Sequence, residues 1–223
     1  MALFRGVTNA SYSGGNTTSY VVNKPTGTVD GDFMVMFWFD NSSTIAPTTL
    51  AGWTLLRSDS YNGATSSCSV YYKVASGEGS SYTWACTNTR AAQCMMSFYG
   101  INTTVPASTW DGQSFSDNAS STTITGSAIT VNGGGEAIIW FGGYNQAAAT
   151  RTVTVPTNYT DNGAVTVDNG STIYTGFKSA YLLNPGTGST GSVNGTLSLA
   201  TAGCCYVLSI KGLSGYPLFF GSL

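Results

Sequence analysis

The apolar run FMVMFWF, from Phe33 to Phe39, limits the possible folds more than any other stretch of this 223-residue chain. A strand exposed on one side alternates polar and apolar residues, and a membrane helix needs about 20 apolar residues in succession. The run fits neither. It reads as a central β-strand with the sandwich core on one face and loops or a neighbouring subunit on the other. Three more runs read the same way: CMMSFY from Cys94, AIIWF from Ala137 and CCYVLSI from Cys204.

Around these runs, strand signals recur every 10 to 15 residues or so, separated by Gly, Ser, Asn and Pro clusters. They place strands at 19–23, 33–39, 54–58, 68–75, 82–87 and 92–99, then at 122–131, 137–142, 164–167, 172–183, 195–199 and 204–211. No segment has a helical period. The fold class is therefore all-β, an antiparallel β-sandwich of jelly-roll type.

Sliding the chain against itself sets SYSGGNTTSYVV from Ser11 over SFSDNASSTTIT from Ser114, and GDFMVMFWF over GEAIIWFGG with Asp32 on Glu136. Further along, Trp53 lies over Tyr159, SVYYKV over SAYLLN, and CMMSFYG over YVLSIKG. The offset grows steadily from 103 to 112, as loop insertions would make it. The order predicts two pseudo-repeated halves sharing one core, about 4–101 and 107–213, followed by a tail at 214–223.

Composition narrows the function. Only 8% of residues are charged, against about 25% in ordinary globular proteins, and the net charge is −2. Eight basic residues scattered singly form no patch for a row of phosphates, so nucleic acid is not an expected partner. Neither a signal-peptide core nor a membrane-length run is present, and synthesis in the host cytoplasm is the expectation. Cys68, Cys86, Cys94, Cys204 and Cys205 sit in apolar runs without CxxC spacing and read as small buried hydrophobes. A Cys86–Cys94 disulfide is the one pairing adjacent strands could make. The chain has no His, hence neither the commonest general base nor the commonest transition-metal ligand.

The succession VVNKPTGTVDGDFMVMFWF, AGWTLLRS, SVYYKVASGEGSSYTWAC and AAQCMMSFYGI resembles a recurrent β-sandwich module of bacteriophage virion proteins, found on capsids and in tail-associated proteins. The resemblance runs from about Phe4 to Leu213 and rests on strand and turn patterns. It implies a virion structural protein and brings no catalytic residue. With no shaft, hydrolase or shell domain beside the module, the expected role is capsid decoration or cement. The expected partners are the major capsid protein and copies of the chain itself, a trimer first. A receptor- or glycan-binding tail module is the alternative.

The acidic residues offer no pair set out for catalysis. Asp30, Asp32 and Glu136 sit in turns leading into strands, and the others lie in separate Gly/Ser/Asn loops. The segment TDNGAVTVDNGS from Thr160 lacks the ligand spacing of a calcium loop. Neither catalysis, metal nor cofactor is expected. For a glycan, the aromatic candidates are Trp110, in a polar segment between the halves, Trp53 and Tyr159, with Trp84 and Tyr144 also near strand ends. For a partner protein, the candidates are Tyr216, Leu218, Phe219, Phe220 and Leu223 of the tail GLSGYPLFFGSL.

Overall fold

A computed structural model of the chain describes residues 1–11, 17–40, 47–104, 110–147, 151–168 and 173–213. The tail residues Tyr216, Leu218, Phe219, Phe220 and Leu223 lie outside these. The described residues contain no helix, and their strands pair antiparallel throughout. The molecule is an all-β sandwich.

The first sheet holds β1 (Leu3–Ser11), β7 (Ala91–Tyr99), β3 (Phe33–Asp40), β5 (Ser66–Val74) and β4 (Thr54–Tyr61), in that order. The second holds β8 (Trp110–Gly126), β15 (Val193–Ile210), β10 (Ala137–Ala147), β13 (Ile173–Leu183) and β12 (Thr160–Asp168) in the same order, with β11 (Val153–Thr154) also on β15. Strands matched by the sequence offsets, β3 with β10, β5 with β13 and β7 with β15, occupy corresponding places. Each half also has a two-stranded ribbon: β2 (Thr17–Asn23) with β6 (Ser81–Thr89), and β9 (Thr130–Val131) with β14 (Gly188–Ser189). In the first half the pairings nest, β1 with β7, β2 with β6 and β3 with β5, as in a hairpin rolled on itself.

Alternation along β3 explains its continuous apolar run. Phe33, Val35, Phe37 and Phe39 face the second sheet, where they meet Ile139, Phe141, Phe177 and Tyr206. Met34, Met36 and Trp38 face outward into a separate core formed with Tyr20, Val22, Trp53 and Trp84. The outer cover is thus the β2–β6 ribbon with the segment around Trp53, part of the same half. On the second sheet Ile138, Trp140 and Val207 fill an equivalent outer core with Ile129 and Val131. The result is four layers, ribbon, sheet, sheet and ribbon, with apolar filling in each gap.

Phe37 sits at the centre of the inner layer. Its ring stacks on Phe141 at 4.0 Å and 7° and meets Phe177 and Tyr206 edge-on at 5.4 and 5.5 Å. In β10, the sequence places the strand end at Gly142, but the strand continues through Gly142 and Gly143 to Ala147. A Cβ at Gly142 would lie 2.1 Å from the Trp140 ring, and one at Gly143 2.2 Å from the Phe39 ring. Both glycines give way to aromatic rings, a close approach that keeps them inside a strand.

All five cysteines are free. Cys94 faces the inner core and Cys86 packs against the outer one, so the two lie on opposite sides of the first sheet and cannot bond to each other. Cys68 and Cys204 meet across the inner layer with Sγ atoms 3.6 Å apart. Burial pushes the Cys94 thiol up to about 12 and the partly buried Cys86 thiol up to about 11.

Two outcomes follow from this packing. Phe37→Ala removes the central ring and is expected to cost about 3–5 kcal/mol, read as a lower urea midpoint with an unchanged slope. With a maleimide at mildly alkaline pH, Cys86 is expected to react slowly and the four buried thiols only after denaturation; rapid modification of Cys94 in the folded protein would contradict the packing.

Candidate functional site

Among the described residues, two recesses gather side chains with chemical potential. The first opens on the outer side of the second half and has a volume of about 440 Å³. Ile138, Leu182 and Val193 of β10, β13 and β15 form its floor, and Tyr159 and the loop side chains stand around them. The wall before β12 is a turn closed by the Tyr159 N–H donating to the Pro156 carbonyl at 3.2 Å. Within it Asn158 takes φ 69°, a left-handed conformation that Asn tolerates better than most residues. The opposite wall is the loop after β13, pinned where Thr190 N donates to Ile129 O at 3.0 Å and Ile129 N donates to Thr190 Oγ1 at 3.1 Å.

Tyr159 is half-buried, with one side against the outer core and the other in the recess. The residue it matches in the first half behaves differently. Trp53 is 5% exposed, with Tyr82 and Trp84 edge-on against it at 5.4 Å and the Lys73 ammonium 5.8 Å from its ring centre. Among the described residues no ring closes over Tyr159, and the space stays open. Trp110 is buried in the inner core against Phe33 and Tyr72, at 5.5 and 5.6 Å. Neither tryptophan offers a sugar a free face. Trp84 and Tyr144 are fully buried too.

The second recess, of about 310 Å³, lies where β8, β10 and β15 start or end, and its lining includes Asp111, Asn132, Glu136 and Lys211. Its chemistry is clearest against the first half. Asp32 caps the turn before β3, taking the Val29 N–H at 3.0 Å and the Ser97 hydroxyl at 3.3 Å. Arg5 grips both its oxygens, at 2.8 and 2.9 Å. Glu136 repeats the cap before β10, accepting from Gly133 N and Ser209 Oγ. Arg5 is the bulged residue between the pairs Phe4↔Phe98 and Gly6↔Ser97, and Asp111 is the bulged residue between Trp110↔Ile210 and Gly112↔Ser209. A carboxylate thus occupies the place of the guanidinium.

The two acids lie close enough to influence each other's ionisation. Burial, then the Asp111 charge, push the Glu136 carboxyl up, while hydrogen bonds from Ser209 and Gly133 offset part of the rise. Burial acts to raise Asp111 as well, but the Asn132 side chain and backbone and the Lys211 ammonium at 3.6 Å outweigh it and hold Asp111 below the usual range. Glu136 is therefore the weaker acid of the two and Asp111 the stronger. The sequence separates these residues by 25 positions and gives no sign that they meet.

Elsewhere the charges are used in structure. Arg57 grips Asp59 at 2.6 and 2.8 Å, and Asp59 also accepts from Tyr206 at 2.7 Å. Lys73 pairs with Glu78 at 2.5 Å. In the segment from Thr160, Asp161 pairs with Lys178 at 2.6 Å and takes the Gly163 N–H at 2.7 Å, fixing a β-bulge. Among the described residues, no group of three or more acidic, His or Cys side chains is placed to hold a metal.

A scan against protein-family models finds no match for the chain, and neither the curated proteins nor the solved structures give one.

The opposite shifts of the two acids have a pH signature. A carboxyl whose folded value is raised, as at Glu136, stabilises the fold fully below its ordinary value of 4.5 and loses that contribution as pH rises through the folded value. Asp111, held low, contributes above 3.8 and is lost as pH falls. Glu136→Gln supplies a permanent donor to Asp111. The variant is expected to gain on the parent as pH rises from about 4.5 to 8, measured by urea midpoints across that range; parallel pH profiles would refute the raised value at Glu136.

Proposed function

We propose that the chain is a phage virion structural protein of the capsid-decoration or cement kind, acting by non-covalent packing on an assembled shell. The observation that carries the reading is the sequence resemblance to virion β-sandwich modules, which extends over nearly the whole described sandwich. The nested pairing supports it, read as a jelly-roll wrapping whose second layer is the two-stranded ribbon.

The outer faces suit such a role. On the β2–β6 ribbon, Ser19, Val21, Asn23, Ser81, Thr83 and Ala85 point outward and are exposed, with Val21 at 58%. This face carries no charge, so packing it against a subunit desolvates only hydroxyl, amide and apolar groups, at a gain of roughly 25 cal/mol per Å² of apolar area before the costs of association. The working form is proposed as a homo-oligomer, a trimer first, bound to the major capsid protein through this face and the apolar tail at 214–223.

Particles assembled with and without the chain test the reading. Those carrying it are expected to keep their DNA to a higher temperature, with density for the chain on the shell in cryo-EM maps. Val21→Glu and deletion of 214–223 are expected to weaken particle binding at least about tenfold while leaving the circular dichroism unchanged. Density at the tail alone, with shells equally stable in both preparations, would instead favour a receptor-binding tail module.

A further inference from the structure

We propose that the recess beside Tyr159 is a binding site for an uncharged saccharide of one or two rings. The volume of about 440 Å³ falls within the range of small-ligand pockets. Its lining contains no charged side chain, so a phosphate, a carboxylate or an ammonium group would enter without a partner. What the lining offers is a mixture: the Tyr159 ring with Pro156 and Pro185 as apolar surfaces, and the amides and hydroxyls of Asn158, Asn194, Ser192 and Thr157 around them. A pyranose has the same mixture, an apolar face of C–H groups ringed by hydroxyls. It stacks on an aromatic ring while its hydroxyls both donate and accept.

The two halves differ at this place. At the matching place in the first half, Trp53 is covered by Tyr82 and Trp84 and the space is filled. In the second half the aromatic is kept, the cover is absent among the described residues, and the adjacent Asn158 is held at φ 69°. Asn158 and Asn194 are both exposed, which places two side-chain amides at the rim for sugar hydroxyls. The site does not depend on whether the chain sits on a shell or a tail.

The test is a titration of the ¹⁵N-labelled full chain, followed by amide shifts, with glucose, galactose, N-acetylglucosamine and their disaccharides. Glucuronic acid and N-acetylneuraminic acid serve as charged comparators. At least one neutral sugar is expected to shift Asn158, Tyr159, Thr190 and Asn194 with a Kd of about 1–10 mM, and the charged sugars to bind at least about tenfold more weakly. Tyr159→Ala is expected to abolish the shifts. Asn194→Ala, at an exposed rim position that leaves the fold unaltered, is expected to weaken binding about fivefold to tenfold, and Asn132→Ala in the other recess to leave it unchanged. The proposal fails if no neutral sugar shifts these residues, if charged sugars bind equally well, or if Asn194→Ala binds as the parent does.

Discussion

The face-to-face stack of Phe37 on Phe141 joins the two sheets at the middle of their central strands, and the rest of the molecule is arranged around that contact. Each phenyl ring must arrive on the inner side of its strand. That fixes the alternation of β3 and β10, and a slip of one residue would turn every inward side chain outward. Because each central strand has apolar residues on its outer side as well, each sheet needs a second cover, supplied by its own ribbon. A two-layer sandwich with this sequence would expose Met34, Met36 and Trp38; the four-layer arrangement buries them.

The register of the central strands depends in turn on the buried carboxylates at their start. Asp32 and Glu136 each tie a turn three residues upstream to a serine on the neighbouring strand. In the first half a guanidinium neutralises the cap, and in the second a carboxylate stands in its place and pushes the cap's carboxyl up. The same geometry thus carries opposite electrostatics, an ion pair in one half and two neighbouring acids in the other. Likewise one aromatic position is sealed at Trp53 and open at Tyr159. The two halves differ most in chemistry where they agree most in geometry.

Much of the scaffold was legible because its strands are extreme. Continuous apolar runs marked β3, β7, β10 and the end of β15, and these are the strands covered on both faces. β1 and the first part of β8 escaped notice: both pair on one side only, and a bulge at Arg5 or Asp111 breaks their alternation. The polar neighbours of Trp110 made it read as exposed, whereas they are the outward positions of a strand whose first residue points in. Gly142 and Gly143 read as a strand end because the rings that replace their side chains come from Trp140 and from Phe39 on the facing sheet. The segments 195–199 and 204–211 are one strand, since the residues between them, Ala200 to Gly203, continue β15 with Thr201 and Gly203 buried. Of the candidate site, Tyr159 was legible as an aromatic near a strand start. The carboxyl pair was not, since only tertiary pairing through β15 brings Asp111 to Glu136.

The nested order of pairing also governs how the chain can be made. β1 waits for β7, so the first sheet cannot close until about 99 residues are available; β8 waits for β15, which delays the second sheet until about residue 210. Such distant partners predict slow folding. During synthesis the first half can complete its sheet and ribbon while the inner face bearing Phe33, Phe37 and Phe39 still has nothing to cover it. For that interval a nascent chain presents a broad aromatic surface to any neighbour, and two such chains could join first half to first half, each taking the place meant for the other's second half. The aromatic stack that holds the finished protein together is, half way through synthesis, its most exposed point of error.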